Sequence, residues 1–275
     1  MLKQRILTAI ILIPLVLWGI LRLPDDYFAI VLALLTILGA REWASMARLP
    51  TSLHYIYTIV FAGILYACWF GLHHIRQLDT ALLYTSCAWW IFAFVALAQY
   101  NSGKVRILFN PALRSVIGLL ILVPTFTALL ILRNNTEHGA TLLIYLLVLI
   151  WIADSAAYFT GRQWGKTKLL PNVSPGKTWQ GVYGALVASI SFSFVFAYFA
   201  AEIINQQYMA FIGASFITII FSIHGDLVES MFKRQVNIKD SSHILPGHGG
   251  ILDRIDSLTS ASPVFVTSLM LLGIK

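Results

Sequence analysis

Residues 112–132, ALRSVIGLLILVPTFTALLIL, form an almost unbroken apolar run with the length that a helix needs to cross the hydrocarbon core of a bilayer. Similar apolar blocks recur along the chain, without the polar stripes of amphipathic helices. Of the 275 residues, 58% are hydrophobic and only 11% are charged, and the mean hydropathy is +0.78. A water-soluble domain cannot bury that much apolar surface. The chain is therefore predicted to be an all-α, polytopic helical membrane protein.

The apolar blocks predict nine transmembrane helices. They lie at residues 6–23, 27–46, 54–72, 80–99, 112–132, 140–160, 181–203, 208–229 and 257–274. The first block follows basic residues, as in a signal peptide, but no small-residue cleavage site comes after it, so we expect it to remain as a helix. No repeat and no soluble stretch of domain length interrupts the series. Residues 1–275 are therefore predicted to form a single integral membrane domain.

The distribution of lysine and arginine predicts how the helices cross the bilayer, because short loops rich in these residues stay in the cytoplasm. With nine spans, fifteen of the 19 lysines and arginines fall on one side. The four on the other side are Arg22, Arg76, Arg133 and Lys275. The N-terminus is therefore predicted to be cytoplasmic, as are two long polar segments, 161–180 and 231–256. For Arg41 and Arg48, this topological role and attraction to anionic lipid are the simplest interpretation.

A polar segment, Ser230–Asp256, separates the last two apolar blocks and reads SMFKRQVNIKDSSHILPGHGGILDRID. We call it the signature segment. Charges at the edge of hydrocarbon cost insertion energy, so their density here indicates binding or chemistry. Four polar residues lie where the eighth predicted span meets the signature segment, and they share one helical face at i, i+3, i+4 and i+7: Asp226, Glu229, Ser230 and Lys233. Asp253 and Asp256 form a second acidic pair at the start of the next span. A salt-bridged helix end is the alternative interpretation of the first group.

The Pro246–Gly250 turn, PGHGG, predicts a phosphate site between these two acidic groups. Its glycines allow left-handed backbone angles, which point N–H groups into a concavity suited to an anion. Carboxylates from the two helices would hold Mg²⁺ while leaving coordination positions for substrate phosphates. Basic residues of the segment would neutralise the remaining phosphate charge: Lys233, Arg234, Lys239 and Arg254. The pattern indicates nucleotide or phosphoryl chemistry at a membrane surface.

The segment 161–181, GRQWGKTKLLPNVSPGKTWQG, contains GKT twice, but neither copy is predicted to be a P-loop. The first glycine of that motif is replaced by Thr160 or Pro171, and we expect no strand before either copy. Ser174, Lys177 and Thr178 are predicted to contact phosphate or substrate. Asp154, near the end of the sixth span, is a further candidate for substrate binding, with a helix cap or an interfacial side chain as the alternative.

The signature segment, with S-x-F-K-R, then K-D, then L-P-x-H-G-G-I-x-D-R-I-D, resembles the signature of the phosphatidate cytidylyltransferase (CDP-diacylglycerol synthase) family. ADSAAYFTGR at 153–162, SPGKTWQG at 174–181 and LKQRILTAIILIPLVL at 2–17 also resemble its bacterial members. One local departure is Ala156, where these members commonly carry glycine. Another is His224, which either touches the metal site or is a helix-end histidine hydrogen-bonded to backbone.

The resemblance implies transfer of CMP from CTP to phosphatidate, giving CDP-diacylglycerol and pyrophosphate with Mg²⁺ required. It places the metal-centre acids at Asp226 and Asp253, and more weakly implies a second cation such as K⁺, with Asp256 as a neighbour. It also implies a homodimer in the lipid bilayer of the bacterial inner membrane, with the active site facing the cytoplasm. No nucleic-acid partner is expected.

Phosphatidate already carries an anionic oxygen, so the reaction needs no Ser-His or Cys-His device, and none is apparent. We predict a polar pocket among spans six, eight and nine, with the catalytic part chiefly in residues 151–275. The predicted metal ligands are Asp226, Asp253 and Asp256. The other predicted catalytic residues are Lys233, Arg234, Lys239, Asp240 and Arg254. The predicted substrate-binding residues are Asp154, Ser174, Lys177, Thr178, Ser230, His248, Gly249 and Gly250.

Three other functions are weighed against this one. A CTP-dependent lipid kinase of the polyprenol or phytol type would transfer the γ-phosphate, but the intact signature segment disfavours it. A CDP-alcohol phosphotransferase needs a D-G-x-x-A-R motif that the chain lacks. A transporter would carry charges near the centres of its spans, whereas the charges here lie at helix ends.

Overall fold

The computed structural model describes residues 2–75, 77–103, 110–134, 138–244 and 249–274. Over these residues the chain forms nine α-helices and one small β-hairpin. The helices are α1 Leu2–Arg22, α2 Asp25–Met46, α3 Thr51–His74, α4 Leu78–Asn101, α5 Pro111–Asn134, α6 Gly139–Trp164, α7 Trp179–Phe199, α8 Tyr208–Gln235 and α9 Leu252–Leu272. The hairpin strands, between α6 and α7, are β1 Lys168–Leu170 and β2 Ser174–Thr178.

The helices have the length and composition of membrane spans. Eight of them, α2 to α9, are long and apolar enough to cross a bilayer, and α1 contributes the shorter apolar stretch Ile10–Arg22. Large apolar side chains cover the outer surface, as Phe199 and Met209 do. The prediction of an all-α, polytopic membrane protein is confirmed. Near the signature segment, α8 continues past its predicted span to Gln235, and α9 begins before its predicted span, at Leu252. Charged residues on that side of each apolar block continue the helical hydrogen bonding.

Two helices that carry the site, α8 and α9, pack closely against each other. Gly225 of α8 makes this approach possible, because a Cβ atom there would lie 2.8 Å from the backbone oxygen of Asp256 and would overlap Ser260. The hydroxyl of Ser260 in turn donates a 2.5 Å hydrogen bond to the backbone oxygen of Phe221. The acidic ends of α8 and α9 are therefore held side by side.

Polar contacts tie several helix ends and the hairpin together at one end of the molecule, which we call the polar end. Arg114 at the start of α5 is fully buried and donates to the backbone oxygen of Met46 at 3.1 Å and to Gln235 Oε1 at 3.0 Å. Asn172 Nδ2 in the hairpin donates to the backbone oxygen of Asn101 at 2.8 Å. The ends of α2, α4 and α8 therefore lie together with the start of α5.

The opposite end is joined by its own contacts. Arg133 at the end of α5 donates to the backbone oxygen of Ile20 at 2.7 Å, and Gln207 before α8 donates to the backbone oxygen of Leu272 at 2.9 Å. Successive helices thus alternate in direction, as the predicted crossings require. Which end faces the cytoplasm stays a prediction.

The hairpin corrects one expectation about the GKT copies. β1 and β2 are antiparallel, with Lys168 paired to Thr178 and Leu170 to Ser174. A short strand therefore does precede the second copy, whose own residues lie in β2. Strands of three and five residues are too short for an alternating pattern to reveal them. The missing first glycine still separates this segment from a P-loop.

Candidate active site

Lys233 of α8 makes two ion pairs at the polar end, and the pair with Asp253 links α8 to α9. Its Nζ donates to Asp253 Oδ1 at 2.7 Å and lies 3.2 Å from Glu229 Oε1, one helical turn earlier. The side chains of all three residues are less than one-tenth exposed. The predicted acidic and basic face of α8 is therefore present, and it meets the acid that opens α9.

Asp253 also organises the backbone of the signature segment. Its Oδ2 accepts hydrogen bonds from Ser241 N at 2.8 Å and Gly250 N at 2.8 Å, and it also lies 2.9 Å from Ser241 Oγ. The N–H group of Gly250, predicted to face a phosphate, is thus used inside the protein. Both carboxylate oxygens of Asp253 are engaged, so a metal bound there would replace Lys233 or one of these donors. Its metal role stays a prediction.

The hairpin supplies the opposite wall of the site. Lys177 Nζ lies 2.5 Å from Asp226 Oδ2, and Ser230 Oγ donates to Asp226 Oδ1 at 3.3 Å. The two side chains of the Lys177–Asp226 pair are each about one-quarter exposed, at 29% and 25%. This pair is therefore more accessible than the pair between Lys233 and Asp253, and its lysine is better placed to meet a ligand.

Asp154 and Asp256 complete the acidic surroundings. Asp154 on α6 is close enough to Asp226, Lys177 and Arg254 for their charges to act on it. The charges of Asp226, Glu229 and Lys233 likewise act on Asp256, whose Oδ1 accepts a 2.7 Å hydrogen bond from the N–H of Ser257. Side chains from α6, α8, α9 and the hairpin therefore form one charged cluster, and a polar pocket for substrate among spans six, eight and nine stays a prediction.

The donor chemistry of this cluster suits a magnesium ion shared with phosphates. Among the described residues, no three acids, histidines or cysteines are grouped as a ready-made metal site. Mg²⁺ needs only one or two carboxylates when phosphates and waters supply its other ligands. The Asp226 carboxylate pairs with the ammonium group of Lys177, so its position suits a positively charged partner. The residues therefore fit Mg²⁺ delivered with a nucleotide better than a metal enclosed by protein alone.

The other predicted site residues occupy more varied places. Arg234, Lys239, Asp240 and Arg254 are exposed at the polar end. Gly249 has a positive φ of 84°, and a Cβ atom there would lie 2.7 Å from Asp253 Oδ2. Ser174 begins β2, and Thr178 ends it as the buried N-cap of α7, accepting a 3.2 Å hydrogen bond from the N–H of Gly181. His248 lies outside the described residues. The substrate contacts of these residues stay predictions.

His224 lies in an aromatic pocket between α4 and α8. Its ring is buried, stacks on Phe94 with 3.7 Å between centroids, and meets the edge of Trp90 at 5.9 Å. Residues two positions apart on a helix do not share a face, so the ring points away from Asp226. Contact of His224 with the metal site therefore gains no support from this packing and stays untested.

The sequence reasoning missed Glu42 near the end of α2. This residue is 4% exposed, and its carboxylate accepts four hydrogen bonds from the signature segment. Arg41, the residue before it, is the other charged residue of this predicted span. The one available signal was an isolated acid inside a predicted span, where a charge is costly unless it is paired.

Comparisons with known proteins match nearly the whole chain. Residues 3–272 match the model of the cytidylyltransferase family. The phosphatidate cytidylyltransferase of Haemophilus influenzae is 40% identical over 281 residues, covering 96% of this chain and 97% of that protein. The enzyme of the same name from Pseudomonas aeruginosa is 41% identical over 279 residues, covering 99% and 98%. Its namesake from Bacillus subtilis is 42% identical over 135 residues, or 48% of each chain.

Proposed function

This chain belongs to the cytidylyltransferase family of nucleotidyltransferases, and we propose that it transfers CMP from CTP to phosphatidate, giving CDP-diacylglycerol and pyrophosphate. The observation that carries the proposal is the charged cluster at the polar end. Its ion pair Lys177–Asp226 joins the polar hairpin to α8, and its ion pair Lys233–Asp253 joins the ends of α8 and α9. A lipid phosphate in the bilayer and a soluble nucleotide can both reach such a position.

The proposed reaction is an in-line displacement at phosphorus. A phosphate oxygen of phosphatidate forms a bond to the α-phosphorus of CTP, the bond from that phosphorus to the β-phosphate oxygen breaks, and pyrophosphate leaves with the electron pair. The attacking oxygen is already anionic, so no side chain has to remove a proton. The main barrier is the approach of two polyanions, which positioning and charge neutralisation lower.

The basic side chains would bind the phosphates. Lys177 would exchange Asp226 for a phosphate oxygen, since its pair is the more accessible one. The exposed bases would contact the outer phosphates of CTP or the lipid head group: Arg234, Lys239 and Arg254. Lys233 would act from its buried position between α8 and α9, with Asp240 as an orienting neighbour.

The acids would hold the cations. Asp226, Asp253 and Asp256 would be the protein ligands of Mg²⁺, with Asp256 also near a second cation such as K⁺. When bound, Mg²⁺ supplies positive charge that neutralises and aligns the triphosphate. The surplus of carboxylates in the cluster supports this role. Three cationic side chains, Lys177, Lys233 and Arg254, act on five acids: Asp154, Asp226, Glu229, Asp253 and Asp256.

The proposed setting is the bacterial inner membrane, with the polar end in the cytoplasm and the protein as a homodimer. The excess of lysine and arginine on that side supports the orientation. The location of CTP in the cytoplasm agrees with it.

The test is a reconstituted reaction with purified protein, Mg²⁺, labelled CTP and phosphatidate. We expect CDP-lipid and pyrophosphate in equal amounts, and much less of both from Asp253→Asn. Glu202→Gln, which removes an exposed acid near the opposite end, is the matched control and should keep full activity. Absence of CDP-lipid with the unaltered protein would overturn the proposal, and CDP in place of pyrophosphate would indicate a lipid kinase.

A further inference from the structure

Glu42 binds both ends of one loop in the signature segment. Its Oε2 accepts from Ser241 Oγ at 2.8 Å and from Leu252 N at 2.9 Å. Its Oε1 accepts from Ser242 Oγ at 2.5 Å and from Ile251 N at 2.9 Å. One buried carboxylate on α2 therefore holds residues 241 and 242, where the loop leaves, and residues 251 and 252, where it returns.

The same carboxylate caps α9. The first N–H groups of a helix have no partner within the helix, and a negative charge beside them is stabilising. Ile251, at the N-cap position of α9, provides no side-chain cap of its own. Glu42 satisfies the N–H groups of Ile251 and Leu252 from another helix. The anion position that the sequence assigned to a phosphate at this helix end is thus filled by a protein carboxylate.

Glu42 is connected to Asp253 through Ser241 and Gly250. The Ser241 hydroxyl lies within hydrogen-bond distance of both acids, 2.8 Å from Glu42 Oε2 and 2.9 Å from Asp253 Oδ2. A Cβ atom at Gly250 would overlap that hydroxyl and lie 2.5 Å from Glu42 Oε2. The chain is therefore packed tightly between the two carboxylates, and Asp253 in turn holds Lys233.

Glu42 stands on a firmly anchored part of α2. The neighbouring Trp43 donates to the backbone oxygen of Arg114 at 2.8 Å and packs on Phe232 of α8, with 5.0 Å between ring centroids. Arg48, just after α2, donates to the backbone oxygen of Gln235 at 3.0 Å. These contacts fix the end of α2 against α5 and α8. A loop attached to Glu42 is consequently fixed relative to the residues of α8.

We propose that Glu42 is a positioning residue for CMP transfer: it holds both ends of the 241–252 loop and thereby sets the positions of Asp253 and Lys233. The inference rests on the proposed function for its catalytic consequence. Glu42 itself is too buried to touch substrate, so it acts through the loop. An amide at this position would turn an NH₂ group toward N–H and O–H donors, leaving donors without an acceptor.

The test compares Glu42→Gln with the unaltered protein in two measurements. Amide hydrogen exchange should become faster at residues 241–244 and 249–252 and stay unchanged in α6. The kcat for CDP-lipid formation should fall about 100-fold, the loss associated with misplacement of about 1 Å, with a smaller change in the KM for CTP. Glu202→Gln is the matched control and should change neither measurement.

Unchanged exchange at 251 and 252, or a kcat at the level of the unaltered protein, would overturn the proposal. Faster exchange throughout the helices would also overturn it, since that result means a general loss of stability. Should Glu42→Gln not fold, Ser242→Ala removes one donor and keeps the carboxylate, and it should show the same local changes at smaller size. If the unaltered protein makes no CDP-lipid, the proposed function fails, while exchange at 251 and 252 still decides whether Glu42 holds the loop.

Discussion

Lys233→Met removes an ammonium group from between two buried carboxylates while keeping an apolar stem of similar length. The side chains of Lys233 and its partners Glu229 and Asp253 are 9%, 6% and 6% exposed, so solvent screens these charges poorly. Removing one partner of a buried ion pair leaves an uncompensated charge and destabilises a protein by about 3–5 kcal/mol. We therefore expect a loss of unfolding free energy in this range.

The contacts of each acid place the effect near the lower end of the range. Asp253 keeps the N–H donors of Ser241 and Gly250 after the substitution, and it shares the Ser241 hydroxyl with Glu42. Glu229 loses more stabilisation, because apart from the ion pair with Lys233 its Oε1 has no hydrogen-bond partner in the described part of the chain. The expected cost is about 3 kcal/mol. Adding Glu229→Gln to Lys233→Met should restore about 1–2 kcal/mol, since it removes the uncompensated charge.

The measurement is equilibrium unfolding in mixed micelles with increasing dodecyl sulfate, followed by circular dichroism. Activity of the same samples should fall at least about 100-fold, as for loss of one donor to developing charge. Lys168→Met, at an exposed lysine of β1, is the matched control and should stay within about 0.5 kcal/mol. Unfolding of Lys233→Met like that of the unaltered protein, or a further loss of stability on adding Glu229→Gln, would refute the stabilising role of this buried ion pair.

Three further substitutions test other parts of the site. Gly250→Ala places a Cβ atom against a buried hydroxyl and a carboxylate, so the free energy of unfolding should fall by about 1–3 kcal/mol. The Cβ atom of Gly176→Ala meets open space, so this control variant should keep the unfolding free energy of the unaltered protein. Thr178→Val removes the N-cap of α7 and should lower the unfolding free energy by about 1 kcal/mol in the same assay; no change would argue against the cap. Asp226→Asn should lower CDP-lipid formation about 100-fold, and full recovery at high Mg²⁺ would contradict its role as an indispensable ligand.

Local chemistry explains why much of this protein follows from its sequence. Apolar runs of about 20 residues satisfy their backbone inside a bilayer only as helices, so the helical class and the order of the apolar helices were predictable. Helical geometry likewise places Asp226, Glu229 and Lys233 on one face whatever surrounds them. The candidate acids and bases of the site were therefore visible before any tertiary contact was known.

Partners distant in sequence depended on how the helices pack. Glu42 and Leu252 are 210 positions apart, and nothing in the residues around Glu42 indicates that its carboxylate caps α9. The pairing of Lys177 with Asp226 and the aromatic pocket of His224 were equally unspecified. Periodicity and composition act within one segment, whereas the partner of a buried charge is chosen by which helix ends are brought together and how closely. The sequence alone determined the apolar helices and the chemical types at the site, and only the tertiary structure decided which carboxylates pair with lysines and which one holds the loop.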